Sequence, residues 1–108
     1  MRGKRTYREE RTIYMIKPEF LVQDLLRVFD KLGLHPELSG GGGAWLLRGS
    51  SGDRSARVEL TSTYELVEGL RTLGPIPVSK LDIYVEGPED FIRAFKRRVE
   101  VELLRCLG

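Results

Sequence analysis

The residues best equipped for chemistry in this sequence are cations, and they gather toward its two ends. Lys96-Arg97-Arg98 is a run of three near the C-terminus, while Arg2, Lys4, Arg5, Arg8, Arg11 and Lys17 crowd the first seventeen positions. Counted against their acids, residues 1–17 carry +4 and residues 91–108 carry +3, whereas residues 18–90 carry −5. The whole chain is only +2. Guanidinium and ammonium groups neutralise phosphates, so a near-neutral chain with two basic ends fits a polyanion bound along one edge. Tyr14 and Tyr84, placed side by side on the exposed face of a sheet, would offer rings on which a base stacks.

Other chemistry finds little footing. His35 is the only histidine; it sits beside Pro36 with no nucleophile or acid motif around it, and reads as an ordinary surface or half-buried residue. Cys106 is alone, which excludes an internal disulfide and a thiolate metal cluster. No GxSxG, HExxH, CxxC or DxDxDG string occurs, and the acids are scattered. Backbone amides of Gly40-Gly-Gly-Gly43 would cradle a phosphate if Gly-Lys-Ser/Thr and a helix followed, but Ala44-Trp45 opens a strand instead. The run therefore reads as a flexible loop or wide turn. The expectation is a protein with no catalytic residues, no metal and no cofactor.

Composition bounds the scaffold. At 108 residues, 41% hydrophobic and 31% charged, the chain suits one globular domain. No apolar run approaches the length of a membrane span, and the basic start lacks the apolar segment of a secretory signal. A soluble, cytoplasmic protein is expected. Asparagine is absent, Gln23 is the only glutamine, and arginine outnumbers lysine thirteen to five, a pattern consistent with a thermophile.

The elements that must position these residues follow from periodicity. Residues 1–10 read as a basic flexible tail and 11–108 as one domain. Thr12–Lys17 is β-branched and aromatic, hence a first strand. Pro18 and Glu19 suit a first helical turn, and Leu21, Leu25, Val28, Phe29 and Leu32 recur at helical spacing up to Gly33. Leu34–Leu38 begins a second strand, and Ala44–Arg48 forms a further one that turns at Gly49–Asp53. Ala56, Val58 and Leu60 then alternate with Arg57 and Glu59. Tyr64–Leu73 is expected as a second helix with Leu66, Val67, Leu70 and Leu73 inward, stopped by Gly74-Pro-Ile-Pro77. Lys80–Glu86 is the last strand, and a final helix runs from Gly87-Pro88-Glu89 to about Leu104. Its Phe91, Ile92, Phe95, Val99 and Leu103 make one stripe. Val101 and Leu104 fall off that stripe and suggest a contact with a partner subunit or second copy. The order implies an α+β, ferredoxin-like (RRM-like) βαββαβ antiparallel sheet sandwich with an added C-terminal helix.

Several segments together resemble a known family. Ser55-Ala-Arg-Val-Glu59, the segment Val67-Glu-Gly-Leu-Arg71, Lys80-Leu-Asp-Ile-Tyr-Val-Glu-Gly87 and Ile92-Arg-Ala-Phe-Lys-Arg-Arg98 look like the small RRM-like protein subunit of archaeal and eukaryal ribonuclease P. Arg11-Thr-Ile-Tyr-Met-Ile16, the Leu32-Gly33 helix end and Trp45-Leu46 occupy matching places, so the likeness covers about residues 10–100. Family members usually carry a Ser-Gly-Thr run where this chain has Glu86-Gly87-Pro88. The resemblance implies a noncatalytic protein that pairs with another protein subunit and organises structured RNA for precursor tRNA 5′ processing. It would place phosphate contacts at Lys96, Arg97 and Arg98, with Lys17, Arg48 and Arg57 secondary. The same topology also serves ACT-like and PII-like regulatory or oligomerisation domains that bind small molecules, and topology alone does not choose between them.

Overall fold

The computed structural model describes residues 4–103. Seven regular elements follow one another: β1 (Arg5–Tyr14), α1 (Pro18–Lys31), β2 (Glu37–Gly41), β3 (Ala44–Ser51), β4 (Arg54–Glu65), β5 (Ile76–Gly87) and α2 (Glu89–Glu102), with a 3₁₀ turn at Arg71–Leu73. The fold is α+β. One five-stranded sheet has the order β1-β5-β4-β3-β2, and every neighbouring pair is antiparallel. The helices pack on one face of it, and the other face is open.

The covered face follows from alternation. Ile13, Leu81, Ile83, Val85, Ala56, Val58, Leu60 and Leu47 all point toward the helices and are buried. Leu21, Leu25, Val28 and Phe29 of α1 meet them, with Phe91, Ile92, Phe95 and Val99 of α2. Phe95 is the hub, edge-on to Phe29 at 5.9 Å and to Phe91 at 6.3 Å between ring centroids. Two glycines make room for these rings. A Cβ on Gly49 would stand 2.7 Å from Phe29, and one on Gly87 would stand 2.8 Å from Phe91.

The sheet departs from the expected βαββαβ order in two ways: it has a fifth strand, β2, and its strand order differs because the second helix is missing. The helix expected over Tyr64–Leu73 does not form. β4 instead continues to Glu65, pairing Thr63 with Val78, Tyr64 with Pro77 and Glu65 with Ile76. Helical spacing of four leucine and valine residues lost to two local effects. Gly69 lies mid-segment at φ +88°, and a glycine inside a helix costs about 1 kcal/mol. Thr61, Thr63 and Tyr64 meanwhile favour an extended ladder. Leu66 and Leu73, expected inward, are 57% and 56% exposed. With no helix to cross over, β4 and β5 become adjacent antiparallel neighbours, and β1 moves from the expected centre to an edge.

Smaller differences have similar causes. The segment read as a tail to Glu10 is strand from Arg5 onward, because each residue from Arg5 to Tyr14 faces a partner on β5. Gly40 and Gly41 belong to β2, while Gly42 and Gly43 alone make the turn, both with positive φ. Positive φ at both turn positions matches the strand twist, which is why a two-residue loop suffices.

Candidate nucleic-acid interface

Register decides what the open face presents. Arg8 pairs with Tyr84, Tyr84 with Arg57, Arg57 with Arg48, and Arg48 with Glu37. A single row thus crosses all five strands. With strands about 4.8 Å apart, Arg8 and Arg48 are separated by roughly 14 Å at the backbone. The Arg57 guanidinium carbon lies 5.6 Å from the Tyr84 ring centroid, a cation–π arrangement. Arg48 makes no ion pair among the described residues. Around this row His35, Ser50 and Ser55 join Glu37, Arg48, Arg57 and Tyr84 to line an open groove of about 550 Å³.

The neighbouring row has the opposite sign. Glu10, Asp82 and Glu59 face one another across β1, β5 and β4. Arg8 spans the two rows with two hydrogen bonds to Asp82, at 3.2 and 2.9 Å. These bonds from Arg8 hold the Asp82 carboxyl below its ordinary value. Arg57 is only 3.9 Å from Glu59, too long to tie it down. The acidic row bounds the basic one on one side, and Glu37 stands opposite Arg48 at the end of the basic row.

The helical layer holds a second set of cations. Lys31 and Leu32 on the α1 side and Asp90, Arg93, Ala94, Arg97 and Arg98 of α2 line a groove of about 380 Å³. One carboxylate serves two of this set, Lys31 and Arg98, and Arg27 besides. Glu102, 10% exposed, pairs with Arg27 at 2.9 Å, Arg98 at 3.6 Å and Lys31 at 3.7 Å. The hydrogen bond from Arg27, then the charges of Lys31 and Arg98, hold its pKa below the ordinary 4.5. Asp24, fully buried on α1, also pairs with Arg27. Arg97 makes no ion pair among the described residues.

The cations picked out by sequence are therefore split. Lys96 turns away from Arg97 and Arg98, placing its Nζ 4.5 Å from the Tyr7 ring on β1. Lys96, Arg97 and Arg98 do not form one phosphate-facing surface. Arg48, Arg57 and Tyr84 do come together, but on the opposite side of the sheet. Lys17 stands exposed just before α1, apart from both groups. Tyr14 shares the open face with Tyr84, yet it pairs with Val78, six residues along β5. At about 3.3 Å per residue the two rings lie roughly 20 Å apart, too far to stack one base. Val101 is 46% exposed on α2, and Leu104 lies outside the described residues.

Sequence reading counted Arg8 among the basic residues near the N-terminus but did not place it on the sheet, and it gave no role to His35. Arg8 lay in a segment read as tail; its alternation with Thr6, Glu10 and Thr12 was the available signal. His35 reaches the groove only because β2 lies beside β3, which no local pattern announces. Among the described residues, no group of three or more His, Cys, Asp or Glu is placed to hold a metal, and no helix is long and apolar enough to cross a membrane. No protein-family model matches the chain, and no curated protein matches it.

Proposed function

We propose that the open face is an RNA-contacting surface and that the chain is a noncatalytic RNA-binding protein. The observation that carries this reading is the cross-strand row Arg8–Tyr84–Arg57–Arg48. Arg48 and Arg57 supply charge for phosphates, and Tyr84 supplies a ring against which a base stacks. Phosphate contacts position RNA without reading its sequence, and one ring reads little of it, so weak sequence preference is expected. The resemblance to the ribonuclease P subunit gives the proposal a specific form, a protein cofactor for precursor tRNA processing. The edge position of β1 departs from the fold that resemblance implies.

A regulatory reading rests on the groove itself, whose size lies in the range of small-molecule pockets. Fluorescence anisotropy separates the two. Precursor tRNA, ribonuclease P RNA and a short single strand are titrated at several salt concentrations. RNA binding should weaken steeply with salt, and Arg48→Ala/Arg57→Ala should lower the slope by about one to two. Binding that ignores both salt and these substitutions would move the assignment to the small-molecule reading.

A further inference from the structure

The outer edge of β1 is complementary to itself. The Met15 N–H donates to the Pro77 carbonyl at 2.8 Å, one step beyond the Tyr14–Val78 pair. Hydrogen-bonded pairs alternate in an antiparallel ladder, so odd-numbered β1 residues bond β5. Thr6, Arg8, Glu10 and Thr12 therefore aim their N–H and C=O groups outward, where no strand lies among the described residues. Charges on an edge strand usually prevent foreign pairing. Here their order matches one partner.

We propose that β1 pairs antiparallel with β1 of a second copy about a twofold axis at Glu9, joining two sheets into one of ten strands. On the open face this register sets Arg8 against Glu10 twice and Thr6 against Thr12 twice, pairings that stabilise adjacent strands. On the helix side it sets Tyr7 against Arg11. Glu9 meets its own copy, but its carboxylate already accepts from the Tyr7 hydroxyl at 2.9 Å and from Arg11. Arg8, 63% exposed despite its bonds to Asp82, has donors left for a second carboxylate. Shifting the axis to Glu10 puts Glu10 against itself and Arg8 against Thr12, so both ion pairs vanish. The other edge, β2, is five residues long and ends in Gly40-Gly41, which specifies register poorly.

Sedimentation velocity without RNA tests this from micromolar to near-millimolar protein. The expected mass rises with concentration to twice the 12.3 kDa of one chain. Arg8→Glu and Glu10→Arg should each weaken the dimer about tenfold, and the double reversal Arg8→Glu/Glu10→Arg should restore it, since opposite charges face again. Thr6→Pro removes an outward N–H while sparing the bonds to β5, and should also dissociate the dimer; circular dichroism reports the fold of each variant. A monomer at every concentration, or a dimer indifferent to both single reversals and to Thr6→Pro, overturns the proposal. So does a dimer broken by Val101→Glu and not by Arg8→Glu, which would place the interface on α2.

Discussion

The two arginine-rich regions sit on opposite sides of the sheet and differ in how their charge is spent. In the groove between α1 and α2, Glu102 gathers Arg27, Lys31 and Arg98, and Lys96 is drawn to the Tyr7 ring. These contacts fasten α2 to α1 and to the sheet edge. On the open face Arg8 is held by Asp82, Arg57 lies beside the Tyr84 ring and 3.9 Å from Glu59, and Arg48 has no carboxylate partner among the described residues. Each region keeps one arginine with no ion pair among the described residues, Arg48 on the open face and Arg97 in the run Lys96-Arg97-Arg98, whose other two members are engaged by Tyr7 and Glu102. Local density of cations therefore does not tell which of them lack partners; the carboxylates and rings around each one do.

The largest effect should come from removing the ring. Tyr84→Ala deletes the stacking surface and the support for Arg57, and should weaken single-stranded RNA binding roughly tenfold or more. Arg97→Ala/Arg98→Ala, made in the helical groove, should change affinity far less. Anisotropy titrations of the two variants at one salt concentration compare the faces directly, and a larger loss for the groove variant would invert the comparison.

A smaller effect tests the structural role of the groove. Glu102→Gln removes the shared carboxylate and should lower the melting temperature by a few degrees, about what 1 kcal/mol does in a domain of this size. Its pH dependence has a defined sign. Because the folded-state pKa of Glu102 is depressed, its contribution is present above the ordinary value of 4.5 and is lost as pH falls through the folded value. Thermal melts from pH 7 to pH 3 should show the wild type and Glu102→Gln converging at the acid end. Parallel curves would remove Glu102 from the account.

Much of this was legible in residue order. α1 and α2 announced themselves through Leu21, Leu25, Val28 and Phe29 and through Phe91, Phe95 and Val99, stripes wide enough to survive any tertiary context. The inward set Ala56, Val58 and Leu60 was equally plain. Tyr64–Leu73 failed because a ten-residue leucine pattern with an internal glycine is a marginal helix, and the β5 ladder offered a better competitor. That one element controls strand order, so β1 was expected in the centre and Tyr14 beside Tyr84. Arg48, Arg57 and Tyr84 could be named singly. Their meeting in one row depends on long-range register, which only the assembled sheet supplies.

The central claim is that the open face, and not the helical groove, meets RNA. Backbone amide shifts of isotope-labelled protein, followed while a short single-stranded RNA is added, test it most directly. The account predicts that the largest changes fall on Arg8, Arg48, Arg57 and Tyr84 and on their row neighbours Ser50 and Ser55. Changes concentrated on Lys31, Arg93, Arg97 and Arg98, with the open face silent, would contradict it.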